Sequence, residues 1–145
     1  MNTSPPIHDK FIADADRQAQ GKLKKTAKLV KCWRDSRSAT RGMLSFYIEM
    51  VLAKHALCRG PKSYARCFIE AMDCFAKLRC QPIVDPFGIS DAIGAVGRAG
   101  KLGDIYLGVR ASLQLAIRAL EAEERQRTPL ARTLWKRVFN GSFHN

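Results

Sequence analysis

Several signatures of enzymes and of membrane proteins are missing from this sequence. It contains no Gly-x₄-Gly-Lys-Ser/Thr phosphate loop, no His-Glu-x-x-His zinc motif and no Gly-x-Ser-x-Gly nucleophile turn. No apolar run approaches the ~20 residues that a membrane-spanning helix needs. The N-terminal stretch MNTSPPIHDK lacks the apolar segment of a signal peptide. We therefore expect a cytoplasmic protein with no membrane partner.

Paired cysteines and clustered histidines are also missing. The sequence has 5 cysteines without a Cys-x-x-Cys spacing, and its 3 histidines are His8, His55 and His144. An odd number of cysteines in such a pattern is typical of reduced thiols rather than of a disulfide framework. We expect neither disulfides nor a metal site in this chain.

No long stretch alternates apolar and polar residues with a period of two, the pattern that would indicate β-strands. Apolar residues instead recur at helical spacing along the chain. At 145 residues, the chain is expected to form one domain. The fold class predicted is all-α, a single bundle of about five to seven helices. The predicted helices cover 22–34, 43–57, 63–79, the stretch from Leu102 to the acidic Glu-Ala-Glu-Glu run, and a last segment beginning at Thr128.

Two segments are less regular. Residues 1–16 are interpreted as a partly flexible lead-in, and 17–145 as the helical domain. The segment QPIVDPFGIS contains two prolines and a glycine, so it is expected to be a loop. The glycine-spotted stretch from Ile89 to Gly100 is expected to form a short or irregular helix.

Acidic residues are nearly absent from one basic stretch. The formal net charge of the chain is +12, and between Arg17 and Arg41 nine basic residues face a single acid, Asp35. Lys24, Lys28 and Lys31 form a stripe beside the apolar one on the predicted helix 22–34. Such a field attracts the phosphates of a nucleotide, a nucleic acid or a lipid surface. A solvated basic face is the alternative.

The segment MLSFYIEM follows this stretch and opens the most apolar predicted helix. Ser45 is expected in its first turn, where unpaired N–H groups and a hydroxyl can bind an anion. Gly42 would give the preceding backbone its freedom to turn, and Phe46 or Tyr47 could stack on a base. The same residues also fit a helix cap and core side chains, with the lysines facing solvent.

Asp14 and Asp16 are spaced as two carboxylates that could hold Mg²⁺. They also lie near a probable helix start, where acidic side chains suit the helix dipole. No third carboxylate accompanies them in the sequence pattern, so no catalytic role is assigned to them.

The order of motifs resembles the helical half of the nucleotidyltransferases that include oligoadenylate synthases and cyclic-dinucleotide synthases. Lys-Leu-Lys-Lys-x₃-Leu-Val-Lys-x-Trp precedes Leu-Ser-Phe-Tyr-Ile-Glu-Met, and SYARCFIEAMDCFAKL, PIVDPFG, LQLAIRALEAEE and Ala-x₃-Trp-Lys-x-Val-Phe-Asn-Gly-Ser-Phe follow. The resemblance covers roughly residues 17 to 143. It implies a nucleotide-binding lobe of an antiviral second-messenger type of enzyme.

Carried over by position, the resemblance implies that Lys24 or Lys28 and Ser45 contact nucleotide phosphates. It implies that Phe46 stacks on a base, with Tyr47 beside it. Nucleoside triphosphate is then the expected ligand.

The family's catalytic sheet lobe, with its Gly-Ser and carboxylate triad, has no counterpart in this sequence. The only Gly-Ser pair is Gly141-Ser142, at the opposite end of the chain. The resemblance therefore implies a half that does not catalyse alone, and Mg²⁺ with the triphosphate would need a catalytic-lobe partner. Self-association through the uncovered face is the other expectation. Two alternatives stay open: a basic helical nucleic-acid-binding module, and an inhibitory or interaction protein acting on a full-length enzyme.

Overall fold

The computed structural model describes residues 6–89, 92–97 and 100–140. Its architecture there is a bundle of six α-helices with one small sheet, which confirms the predicted fold class. The Gly141-Ser142 pair, His144 and the end of the resembling tail lie outside the described residues. The helices are α1 (Pro6–Gln18), α2 (Lys22–Asp35), α3 (Ser45–Lys54), α4 (Tyr64–Lys77), α5 (Leu102–Glu124) and α6 (Thr128–Val138).

Short elements complete the fold. A 3₁₀ helix, Ser38–Thr40, lies between α2 and α3. Strand β1 (Ile83–Val84) pairs antiparallel with β2 (Ala92–Ile93), so that Ile83 lies opposite Ile93. Within the described ranges no helix is both long and apolar enough to cross a bilayer.

The apolar run of α3 lies at the centre of the bundle, as its sequence predicts. Helix α2 covers it on one side, with Leu23, Ala27 and Val30 all buried at the predicted spacing. Helices α4, α5 and α6 pack in turn against one another. The buried side chains of α3 itself are Tyr47, Ile48, Met50, Val51, Leu52 and Ala53.

A helix occupies most of the predicted lead-in. Helix α1 begins at Pro6, whose fixed φ suits a first helical turn, and it crosses the expected boundary at residue 17. It buries His8, Ile12 and Ala15, which share one face, against α3 and α2. Residues 6–16 are therefore part of a helix of the bundle, on the N-terminal side of the predicted domain boundary.

The prediction of a helix between residues 89 and 100 is wrong for its described part. Ala92–Ile93 form β2, and Val96 makes an isolated antiparallel bridge to Met43. A Cβ atom on Gly42 would lie 2.6 Å from the Cα of Gly100, so the two backbones touch. The glycines allow this segment to run against the loop before α3, which helical side chains would prevent.

The five cysteines, all in the described residues, are free thiols. Burial raises the pKa of Cys58 and of Cys80 to about 12 and that of Cys74 to about 11. Cys67 is also buried, and Cys32 alone is exposed. Since the thiolate is the reactive form, four of the thiols are protected by burial.

We expect a water-soluble disulfide reagent at neutral pH to modify one thiol per chain rapidly, because only Cys32 is exposed. Cys32→Ser should remove the fast phase, and the other four thiols should react only after denaturant is added. The absorbance of the chromophore that the reagent releases gives the number of modified thiols. A second fast thiol in the Cys32→Ser variant would contradict the burial of α4 and its flanks.

Candidate functional site

The start of α3 lies exposed to a cleft beside the end of α2. Ser45 is the first residue of α3, as predicted, and Leu44 before it has an extended backbone and provides no side-chain cap. The N–H groups of the first helical turn have no partner within a helix, and they carry the positive end of its dipole. This end of α3 can therefore accept an anion.

Arg34, in the last turn of α2, reaches across to the start of α3. Its Nη1 donates to Ser45 Oγ at 2.7 Å and to the carbonyl oxygen of Met43 at 3.0 Å. Its Nε donates to Asp35 Oδ1 at 2.9 Å, and its side chain is only 13% exposed. The guanidinium is thereby held beside Ser45.

A cleft of about 470 Å³ opens at this point. Arg34, Arg41 and Ser45 line it together with Gly97 and Gly100 from the segment that touches the loop before α3. Arg41 is exposed, and its Nε donates to the backbone oxygen of Asp35 at 3.4 Å. The cleft thus combines two guanidinium groups, a hydroxyl and a helix N-terminus.

Lys24 and Lys28 do not line this cleft, so the structure does not bring them to Ser45 as was predicted. Helices α2 and α3 run antiparallel, because Lys31 Nζ bonds Glu49 Oε2 at 2.8 Å while Arg34 bonds Ser45. At 1.5 Å per residue, Lys24 lies about 15 Å and Lys28 about 9 Å along the axis from Arg34. Both lysines are exposed.

The Asp-Ala-Asp motif has a structural role. Asp16 Oδ1 accepts a bond of 2.9 Å from the backbone N–H of Lys24 and thereby caps the first turn of α2. Asp14 pairs with Arg17 one turn along α1. Among the described residues, no group of three or more His, Cys, Asp or Glu side chains is arranged to hold a metal ion.

Tyr47 lies in the core, where it cannot stack on a base as predicted. Its side chain is fully buried, its Oη donates to the carbonyl oxygen of Gln81 at 2.8 Å, and its ring stacks on that of Phe75. Burial raises the pKa of Tyr47 above its ordinary value. Phe46 is half-buried and packs edge-to-face against His8, so a contact between its exposed part and a base stays a prediction.

Arg37, also near the cleft in sequence, serves a different purpose. Its Nη2 donates to the carbonyl oxygens of Arg137 at 3.1 Å and of Val138 at 2.5 Å, at the end of α6. Partial burial lowers the pKa of Arg37. A cation at a helix C-terminus satisfies its last carbonyls, so Arg37 fixes α6 in the bundle.

Sequence reasoning missed Arg34 and Arg41 as site residues, although a signal was present. A connection of eight residues between two predicted helices makes antiparallel neighbours the usual outcome. That arrangement sets the end of the first helix beside the start of the second. It therefore favours Arg34 over Lys24 as the partner of Ser45.

No protein-family model matches this sequence, and neither a curated protein nor a solved structure is detectably similar to it. The resemblance to nucleotidyltransferases therefore rests on the sequence motifs alone. What the chain binds has to be argued from its own residues.

Proposed function

We propose that this chain is a nucleotide-binding helical module that holds phosphate groups at the start of α3. The cleft beside Ser45 supports the proposal, because it joins Arg34 and Arg41 to a helix N-terminus that lacks a side-chain cap. Helix N-termini and guanidinium groups are both frequent ligands of phosphate. In this proposal Arg34 and Arg41 take the place that was first given to Lys24 and Lys28.

Hydrogen bonding suggests how Arg34 would engage the ligand. Nη1 is committed to Ser45 and Met43, whereas Nη2 lies 3.5 Å from Asp35 Oδ2, at the limit of a hydrogen bond. A phosphate oxygen would compete with Asp35 for Nη2. Arg41, which makes one long bond to a carbonyl oxygen, would turn toward the same group.

Long-range electrostatics favour an anionic ligand. The chain carries a formal net charge of +12, and the stretch from Arg17 to Arg41 supplies nine of its basic residues. Such a field raises the local concentration of phosphates and speeds their association. Asp35 is the one acidic residue of that stretch, and its carboxylate is already paired with Arg34.

The choice of a nucleotide over other phosphates comes from the resemblance to the helical half of nucleotidyltransferases. On the same ground, the chain would not transfer nucleotides alone, and Mg²⁺ with the triphosphate would be bound once a catalytic lobe completes the cleft. Phe46, with its exposed part near the start of α3, is the residue proposed to meet the base.

Mutation of the two arginines tests the phosphate site. We expect Arg41→Gln and Arg34→Gln each to weaken ATP binding about tenfold, since a charge-assisted hydrogen bond contributes about 1.5–3 kcal/mol before solvent screening. Lys24→Gln removes the same charge from the far end of α2, and its ATP affinity should stay within about twofold of the original. Isothermal titration calorimetry at low salt measures the affinities.

Thermal melting controls for unfolding in Arg34→Gln, because Arg34 also bonds the backbone of Met43. Arg41 is exposed, so Arg41→Gln should melt like the original protein. Equal losses of affinity in all three variants would contradict a localised phosphate site.

Nucleic-acid binding is the second candidate. Lys24, Lys25 and Lys28 are exposed on α2, and none of them belongs to an ion pair of the described residues. Such a face would bind a duplex through its overall field. The equal losses just described, together with a steep decrease of duplex affinity as salt rises, would favour this candidate.

A further inference from the structure

A second cavity, of about 470 Å³, lies between α2, α4, α5 and α6 and shares no residue with the cleft at α3. Its aromatic walls are Tyr64 and Phe68 from α4, Trp135 from α6 and Phe139, which directly follows α6. The Phe68 ring lies 6.3 Å from that of Trp135 and 5.2 Å from that of Phe139, between centroids. This size and lining are typical of sites for small organic ligands.

Two opposite charges line the same cavity. Lys25 Nζ lies 6.0 Å from the centre of the Tyr64 ring, and Glu123 Oε1 accepts a bond of 2.6 Å from Trp135 Nε1. Within the described part of the chain neither Lys25 nor Glu123 takes part in an ion pair. Both are exposed, so they stand at the mouth of the cavity and can meet a ligand.

We infer that this cavity binds a small aromatic zwitterion, the class to which the aromatic amino acids belong. The ligand's ring would fill the space between Tyr64 and Trp135, where aromatic pairs are favoured. Its carboxylate would pair with Lys25 Nζ, and its ammonium group with Glu123 Oε2. The bond from Trp135 to Oε1 holds the Glu123 carboxylate in place for that contact.

The pair of charges selects a zwitterion over simpler aromatic ligands. A ligand with only a carboxylate would satisfy Lys25 but would face the like charge of Glu123. A ligand with only an amino group would satisfy Glu123 but would meet the ammonium of Lys25. A neutral ring would leave Lys25 and Glu123 without an ionic partner, so it would gain only apolar contact.

Four probes that share one ring test this selection on the full chain. We expect L-tryptophan to bind most tightly, tryptamine and indole-3-propionate each about tenfold more weakly, and indole most weakly, since each ion pair adds affinity. Saturation-transfer NMR and calorimetry give the ranking. Equal affinity for the four probes, or no binding by any of them, would overturn the inference.

Charge variants assign the two contacts. Lys25→Gln should reduce tryptophan affinity to about that of tryptamine, and Glu123→Gln to about that of indole-3-propionate. Glutamine keeps an oxygen for the bond from Trp135, so the wall should be unchanged in Glu123→Gln. Lys136→Gln is the matched control, because Lys136 is exposed on α6 next to Trp135 but does not line the cavity. Loss of tryptophan affinity in the Lys136→Gln variant as large as that in Lys25→Gln would overturn the inference.

A steric variant tests the location. Ala65 lines the cavity on α4, and Ala65→Phe should fill it and abolish binding of L-tryptophan while ATP binding is unchanged. Retained tryptophan binding in this variant would overturn the inference. Self-association that Ala65→Phe removes, in the absence of tryptophan binding to the original chain, would identify the cavity as an interface between copies and would also overturn it.

Discussion

Replacing Trp33 with alanine is expected to lower the free energy of unfolding by about 3–5 kcal/mol. The Trp33 side chain is fully buried, and its Nε1 donates to Ser112 Oγ at 2.8 Å. It therefore joins α2 to the middle of α5 by both packing and a buried hydrogen bond. Because domains of this kind are stable by only about 5–15 kcal/mol, the loss is a large fraction of the total. Urea denaturation followed by circular dichroism measures it.

Two milder variants separate packing from hydrogen bonding at this position. Trp33→Phe keeps most of the apolar contact, so it should lose clearly less than Trp33→Ala. Ser112→Ala leaves the buried indole N–H without its acceptor, which should cost about 1–3 kcal/mol. A loss below about 1 kcal/mol for Trp33→Ala would contradict the close packing around the Trp33 side chain.

The helices could be predicted because each carries its own apolar pattern. Leu23, Ala27 and Val30 recur at helical spacing, and all three are buried where α2 meets its neighbours. The run from Met50 to Ala53 is apolar on every side of one helical turn, so it had to lie within the bundle. Such signals are local, and they need no knowledge of which helices meet.

The candidate site depended on information that is not local. The pattern placed Ser45 correctly in the first turn of α3 but could not say which cation of α2 reaches it. Lys24 and Arg34 both belong to the basic stretch, and only the antiparallel packing of α2 on α3 distinguishes them. Tyr47 follows Ser45 by two residues, about 200° around a helix, and that rotation carries its ring into the core.

The described part of the backbone between residues 89 and 100 was mispredicted because of a close approach between distant segments. Leu44 N–H donates to the carbonyl oxygen of Ala95 at 2.8 Å, and Gly42 touches Gly100. Several glycines in a short stretch are compatible with an irregular helix as well as with tight backbone contact. Only the position of the loop before α3 decides between an irregular helix and a tight backbone contact, and the sequence pattern does not give that position.

Replacing Asp85 with alanine is expected to lower the free energy of unfolding by about 2–5 kcal/mol, because one buried donor and one partly buried donor lose their acceptor. His8 Nε2 lies 2.9 Å from Asp85 Oδ1 and 3.1 Å from Oδ2, with both side chains almost fully buried. The backbone N–H of Phe87 donates to Oδ1 at 2.9 Å. Chemical denaturation compares this variant with Asp85→Asn, which keeps one oxygen acceptor and should lose less.

The contact between His8 and Asp85 should also determine how firmly α1 is held, since it joins residues that are 77 positions apart in the chain. In Asp85→Ala, amide hydrogens of α1 should exchange faster than those of α4, because α1 can open locally while the remaining helices stay packed. A double-mutant cycle with His8→Leu should give a coupling energy above about 1 kcal/mol. Additive effects of the two changes would show that α1 docks through Ile12 and Ala15 alone. The N-terminal residues would then be held by apolar contact without the buried polar pair.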